Sequence, residues 1–353
     1  MDDDLKIQFA SDNTAPVLPE VWEELQRADR EPRYALGYGD DPVTAEATRL
    51  IRELFETDCQ VFFVFNGSAA NSLALASMTR SWHGVLCHPF SHAETDEANA
   101  PEFFTGGAKL IHVDGPAGKI DPESIPPLLE RGHGIHSAKI TAVTITQATE
   151  VGAVYTSAEV RALTSLRERP GLEALRFHMD GARFANAIAA LGIAPAEATW
   201  KSGIRALSLG GAKNGLTATE ALVFFDRELA IEFEWRRKQS GQLASKMRYQ
   251  AAPWIAVLRD GAWLRHASHA NRCARRLGEG LASIPGMDLR FPVEANAAFV
   301  SMPQAVAQEL HDRGWHFYPF SVARAWRFVC NWATTDEAID GLLADARSIA
   351  ERL

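Results

Sequence analysis

An α/β fold with a largely parallel sheet, followed by a smaller α+β C-terminal domain, is what this sequence predicts. Three observations lead there. Short apolar runs at 59–65, 85–87, 109–113, 142–146, 175–179, 206–209 and 221–225 read as buried strands. Helical patterns lie between many of them, the alternation that parallel crossovers require. From Asp226 onward the pattern changes to long helices with few strands.

The elements follow in order. Residues 1–42 form an N-terminal arm rich in turn residues. The large domain is assigned to 43–250. Residues 44–55 carry apolar side chains near helical spacing and precede the first strand. Residues 72–79 read as a second helix, and 156–167 as a third, opened by a cap signal at Ser157. Residues 227–247 read as one long, polar-faced helix. The small domain is assigned to 251–353. It contains a helix at 262–282, a strand at 299–302, a helix at 304–313, a strand at 326–331 and a closing helix at 335–353.

Composition narrows the function. The chain has 353 residues, and 36 Lys+Arg against 45 Asp+Glu give a net charge of −9. Hydrophobic residues make up 46%, enough to offset the ordering entropy of a folded core. The acidic balance argues against a nucleic-acid surface, which needs clustered Lys and Arg. A small anionic ligand needs only a few local cations. The four cysteines are scattered and form no CxxC pair, so they read as reduced, buried thiols of a cytoplasmic protein. The N-terminus is acidic without an apolar core, so no signal peptide is expected. The longest apolar runs are too short to cross a bilayer, so no membrane partner is expected either. No His/Cys/carboxylate set has ligand spacing, and no metal is assigned.

Three motifs carry chemistry. In FNGSAANSLAL (65–75) an apolar strand stops at Asn66-Gly67, and small residues lead into a helix. Free N–H groups at that helix start can form the rim of a phosphate cup, and by itself the stretch also reads as an ordinary strand–helix turn. In HMDGARFANA (178–187) a strand delivers Asp180 at its C-terminal end. A carboxylate there suits a metal, a histidine or a ring nitrogen, and by itself it also reads as a helix cap. Arg183 follows, with a planar fork suited to a carboxylate. In GGAKNG (210–215) Lys213 sits among small residues beside an apolar strand. Desolvation there would lower its pKa and free the amine for a Schiff base. A phosphate cup, a strand-end carboxylate and such a lysine are together what pyridoxal 5′-phosphate requires. His92, after the strand at 85–87, is placed to cover the ring.

With FASDN (9–13), YGDD (38–41), HAETDE (92–97) and TQATEVG (146–152), these motifs resemble the threonine aldolase family, in its low-specificity L-threonine aldolase and phenylserine aldolase branch. The resemblance implies a fold-type I enzyme whose large domain holds a mostly parallel seven-stranded sheet. It implies pyridoxal 5′-phosphate as cofactor and a homodimer or homotetramer with shared active sites. It implies cleavage of β-hydroxy-α-amino acids to glycine and an aldehyde; β-elimination or racemisation on the same cofactor is the alternative. By matching motif, Lys213 bears the cofactor, Asp180 pairs with its ring nitrogen and His92 stacks on the ring. Gly67, Ser68 and Ala69 hold the phosphate. Ser11, Arg183 and Arg327 bind the substrate carboxylate. Lys238 and Arg248 reach a phosphate in a neighbouring subunit. Many members carry a Thr-His pair whose histidine contacts the substrate hydroxyl. Here the stretch reads Thr146-Gln147-Ala148-Thr149-Glu150, so that task falls to His92, a water, or one of Gln147, Thr149 and Glu150.

Overall fold

The computed structural model describes residues 8–130, 134–320 and 324–352. Seven strands build the large sheet: β1 (Gln60–Val64), β2 (His83–Cys87), β3 (Lys109–His112), β4 (Lys139–Thr146), β5 (Arg176–Gly181), β6 (Ala206–Leu209) and β7 (Glu220–Phe224). Their order is β1-β7-β6-β5-β4-β2-β3, and only β7 runs against the rest. The central strands are apolar on both faces; β6 and β7 are buried at every position. Burial on both faces is what helices covering both sides of a parallel sheet produce. The sheet therefore matches the predicted α/β class.

A buried helix, Gly67–Met78, begins where β1 ends. Its residues from Ala70 to Ala76 are all buried, because it crosses the sheet face instead of lying on the surface. The small domain holds a second sheet, entirely antiparallel, of β8 (Asp288–Leu289), β9 (Ala297–Ser301), β10 (Tyr318–Phe320) and β11 (Ala325–Val329), ordered β10-β11-β9-β8. It packs against the helices Ala262–Ala282, Gln304–Asp312 and Asp336–Ala350, around Phe317, Phe328 and Leu342. Phe9 belongs to this second core. Its N–H donates to His316 O at 2.8 Å and its carbonyl accepts from Val329 N–H at 2.8 Å. The arm is thus stitched to the small-domain sheet, and Ser11 and Asp12 follow directly.

Several local expectations are corrected. The stretch 227–247 is not one helix. A helix Phe233–Gln239 is bounded by Glu232 at φ +60° and Gly241 at φ +75°. Ser240-Gly241 is the stop signal; glycine takes the left-handed turn without steric cost. A helix at Arg248–Arg259 follows, with Pro253 in its interior. Proline reads as a breaker, which hid this helix in the sequence. Position 250, where the sequence reading parts the two domains, lies inside it, and Ala251, Trp254, Ile255 and Val257 pack into the large-domain core. The arm contains a helix, Pro19–Arg30, which buries Val21, Glu24 and Ala28. The helix Ser157–Thr164 is capped by Thr156, not Ser157, through a reciprocal pairing of Thr156 with Glu159. Among the described residues no helix is long and apolar enough to cross a membrane.

Candidate active site

The carboxyl ends of β1, β2, β4, β5 and β6 converge on one crevice, the place where open α/β sheets bind ligands. β1 leads to the helix start at Gly67, and β2 to His92. β4 leads to Glu150, β5 to Asp180, and β6 to Lys213.

At the helix start, Asn66 caps the turn by accepting the Ala69 N–H at 2.9 Å. The N–H groups of Gly67 and Ser68 remain, as the first donors of any helix do. A Cβ built on Gly67 meets nothing within 4 Å, so space lies in front of them. Of the three predicted rim residues, Ala69 already spends its N–H within the chain.

Asp180 is buried. Its Oδ1 accepts the Ala182 N–H at 3.0 Å, and its Oδ2 accepts Asn71 Nδ2 at 2.9 Å. It is not the helix cap that a motif alone allowed: Arg183 occupies that position for the helix Phe184–Leu191. Asn71 Nδ2 gives its other hydrogen to Glu97 Oε1 at 2.8 Å. Glu97 Oε1 also accepts from His92 Nδ1 at 2.8 Å. The hydrogen bond from Glu97 raises the pKa of His92 against the cost of burial. The imidazole proton is thereby held on Nδ1, leaving Nε2 free.

Lys213 sits on the turn after β6 and makes no hydrogen bond or ion pair. Burial lowers its pKa and the Arg183 charge lowers it further, against Asp12, Asp180 and Glu220. Its loop is fixed from behind by Glu220, whose Oε2 accepts the Gly211 N–H at 2.5 Å. Burial pushes the Glu220 carboxyl up to about 7.

Arg183 is gripped by Asp12: Nε–Oδ2 is 2.7 Å and Nη2–Oδ1 is 2.9 Å. Asn296 Nδ2 donates to the same Oδ2 at 3.1 Å. Burial alone would raise the Asp12 pKa; the charges of Arg183 and Lys213 outweigh it, and the carboxyl lies below its ordinary value. Ser11, next in the chain, accepts the Asn13 N–H at 3.1 Å and keeps its hydroxyl proton to donate. Arg327, on β11, reaches toward the arm with Nη2 at 3.3 Å from Ala10 O, while its Nε is buried without a partner. Its pKa is lowered by burial and by the Arg183 charge. Two guanidiniums at one place, one of them lowered by the charge of the other and carrying an orphaned N–H, make a receptor for a carboxylate.

Lys238 and Arg248 are not brought to this crevice within the chain. Lys238 is exposed, 4.9 Å from the Tyr38 ring centroid. Arg248 donates to Pro32 O at 2.9 Å and to the Tyr249 hydroxyl. Sequence reasoning assigned no role to Asn71, Glu97, Asp12, Glu220 or Asn296. Asn71 lay four residues past Gly67, one turn into the same helix, and Glu97 closed the quoted HAETDE motif. Asp12 and Asn296 are 284 residues apart, and no local pattern links them.

The residues present fit pyridoxal 5′-phosphate. A half-buried amine with no hydrogen bond or ion pair lies within electrostatic reach of a buried carboxylate, and open space lies before the N–H groups of Gly67 and Ser68. Among the described residues no group of three or more His, Cys, Asp or Glu could hold a metal.

Comparison with known proteins agrees with this arrangement. A sequence model of the β-eliminating lyase family matches residues 8–305. A low specificity L-threonine aldolase from a Pseudomonas species is 50% identical over 342 residues, 97% of each chain. One of the same description from Pseudomonas aeruginosa is also 50% identical over 342 residues, with 97% of each chain covered. The solved structure of Leishmania major threonine aldolase superposes with a TM-score of 0.89 at 25% identity, covering 97% of this chain and 99% of that one. The chain belongs to the pyridoxal 5′-phosphate-dependent β-eliminating lyase family, in its threonine aldolase branch.

Proposed function

We propose that this lyase cleaves the Cα–Cβ bond of β-hydroxy-α-amino acids, L-threonine, L-allo-threonine and phenylserine among them, to glycine and an aldehyde. The observation that carries the reading is the amine of Lys213, half-buried and without a hydrogen bond or ion pair, within electrostatic reach of the Asp180 carboxylate and the Arg183 guanidinium.

Bound here, pyridoxal 5′-phosphate supplies an electron sink for the pair released at Cα. Lys213 Nζ is its attachment point. Asp180 holds a proton at the ring nitrogen, and Asn71 holds Asp180. His92 covers the ring face, with Glu97 fixing its orientation. The Gly67 and Ser68 N–H groups, at the edge that Ala69 completes, take the phosphate, where the helix dipole also favours an anion. Ser11, Arg183 and Arg327 hold the substrate carboxylate. Fixing that group orients the bonds at Cα, so the bond that breaks is chosen by the protein.

The active form is a homodimer or homotetramer with shared sites, in which Lys238 and Arg248 serve the phosphate of a neighbouring subunit. Exposed Tyr34, Leu36, Tyr38, Phe65 and Trp235 support this, since large apolar side chains left in water mark association surfaces. The cytoplasm suits the chain, because its four cysteines are all free and buried.

Purified enzyme is offered threonine, allo-threonine and phenylserine in both enantiomers. Glycine with acetaldehyde or benzaldehyde is the expected outcome. Formation of 2-oxobutyrate from threonine without glycine would instead establish β-elimination and overturn the reading.

A further inference from the structure

The turn after β4 carries three polar side chains, Gln147, Thr149 and Glu150, and the structure separates them. Gln147 is spent on the backbone: Nε2 donates to Tyr155 O at 2.9 Å and Oε1 accepts Tyr155 N–H at 2.9 Å. Thr149 is spent likewise, donating to Ala117 O at 2.9 Å and accepting the Ala153 N–H at 3.0 Å. Glu150 differs. Its Oε1 accepts from Thr146 Oγ1 at 2.8 Å and from the His92 N–H at 2.9 Å. Its Oε2 is buried and has no partner.

Leaving a buried acceptor unpaired is destabilising, so such an atom beside a substrate crevice suits a ligand that supplies the missing donor. Thr146 ends the strand beside β5 and stands in register with Asp180. His92, whose N–H the carboxylate holds, starts the helix that follows β2. Glu150 therefore lies between the ring-nitrogen carboxylate and the residue that covers the ring.

We propose that Glu150 Oε2 is the acceptor for the β-hydroxyl proton of the substrate. The inference rests on the aldolase reading above. The proton passes from the hydroxyl to Oε2. The O–H electron pair becomes the second bond of the aldehyde C=O, and the Cα–Cβ pair stays with the glycine fragment. In the reverse direction Glu150 returns the proton to the new alkoxide. Its charged and titratable neighbours are Asp180 and Arg183 from β5 and its turn, Cys87 from β2, Tyr155 from its own loop and His92. Burial, aided by Asp180, pushes the carboxyl up to about 7, which suits a group that accepts and returns a proton near neutrality.

Glu150→Gln tests this, because glutamine keeps the Oε1 acceptor for Thr146 and His92. In the cofactor-loaded enzyme, threonine cleavage is expected to fall by about 10²–10⁴-fold. Exchange of the glycine α-hydrogen with solvent, which involves no hydroxyl, is expected to persist. A second readout does not depend on turnover. In ¹³C-carboxyl NMR of glutamate-labelled holoenzyme, a resonance titrating near pH 7 and missing from E150Q should shift its midpoint with L-serine but not with L-alanine. Wild-type cleavage rates in E150Q, equal loss of both reactions, or a resonance indifferent to the hydroxyl would each overturn the assignment. Failure of the unsubstituted enzyme to cleave any β-hydroxy amino acid would instead sink the aldolase reading itself.

Discussion

Asp12 and Arg183, 171 residues apart in the chain, meet in a two-point ion pair that joins the N-terminal arm to the turn after β5. Nε and one edge of Nη2 are engaged, so Nη1 and the outer edge of Nη2 are left to a ligand. The pair also ties the small domain to the large one, because the arm is hydrogen-bonded to His316 and Val329.

Asp12→Ala should therefore lower stability and weaken the site together. Breaking a buried pair from one side costs about 3–5 kcal/mol, since the partner charge is stranded. A fall in Tm, with a raised KM for threonine and a smaller change in kcat, is the expected pattern. Since the folded Asp12 pKa is depressed, its contribution is present above the unfolded value and lost as pH falls through the folded one. An acid-unfolding curve of D12A that lacks this component checks the sign.

Lys213→Ala removes the attachment point. Borohydride treatment of the loaded wild-type enzyme should add the mass of the reduced cofactor to the peptide holding Lys213. The variant should take up no such mass and release no aldehyde. An adduct on another lysine would refute the assignment.

Gly210→Ala strikes the backbone that presents that lysine. The new Cβ would lie 2.3 Å from Ala182 O and 2.8 Å from Ala182 Cα, so the turn after β6 must move. Backbone cannot give way as a flexible side chain does. Cofactor affinity is expected to drop by tenfold or more, roughly what a 1.4 kcal/mol loss produces; a cofactor titration followed by absorbance reads it.

Two histidines should titrate in opposite directions. Hydrogen bonding to Glu97 raises His92, whereas burial of His178 between Thr144 and Ser208 pushes it down to about 4. Glu97→Gln should lower the His92 midpoint and leave His178 neutral, as seen by imidazole NMR. The His92 contribution to stability is present below its unfolded pKa and lost as pH rises through the folded one; E97Q should narrow that loss. An unmoved His92 would show that Glu97 does not govern it.

No thiol should react quickly in the native state. Burial pushes Cys59 up to about 11 and Cys87 up to about 12, and Cys273 and Cys330 are also raised by burial. The thiolate is the reactive form. A thiol-reactive chromophore should therefore register four groups only after unfolding.

The sequence is legible where its information is local. Apolar runs bounded by turn residues located the strands of the large sheet. Asn66-Gly67, Asp180 and Lys213 each stood at a strand end, where chemistry and backbone geometry can be read together. Its failures were also local. Ser240-Gly241 broke the reading of 227–247, and Pro253 concealed the helix Arg248–Arg259.

Packing between distant segments settles which polar groups meet. It pairs Asp12 with Arg183, sets Asn71 between Asp180 and Glu97, and turns Gln147 and Thr149 onto the backbone while leaving Glu150 Oε2 without a donor. It also holds Lys238 and Arg248 at Tyr38 and Pro32, outside the crevice of their own chain. The physical reason is range. Periodicity and turn chemistry act over a few residues, but a hydrogen bond between buried side chains depends on how strands far apart in sequence are set side by side.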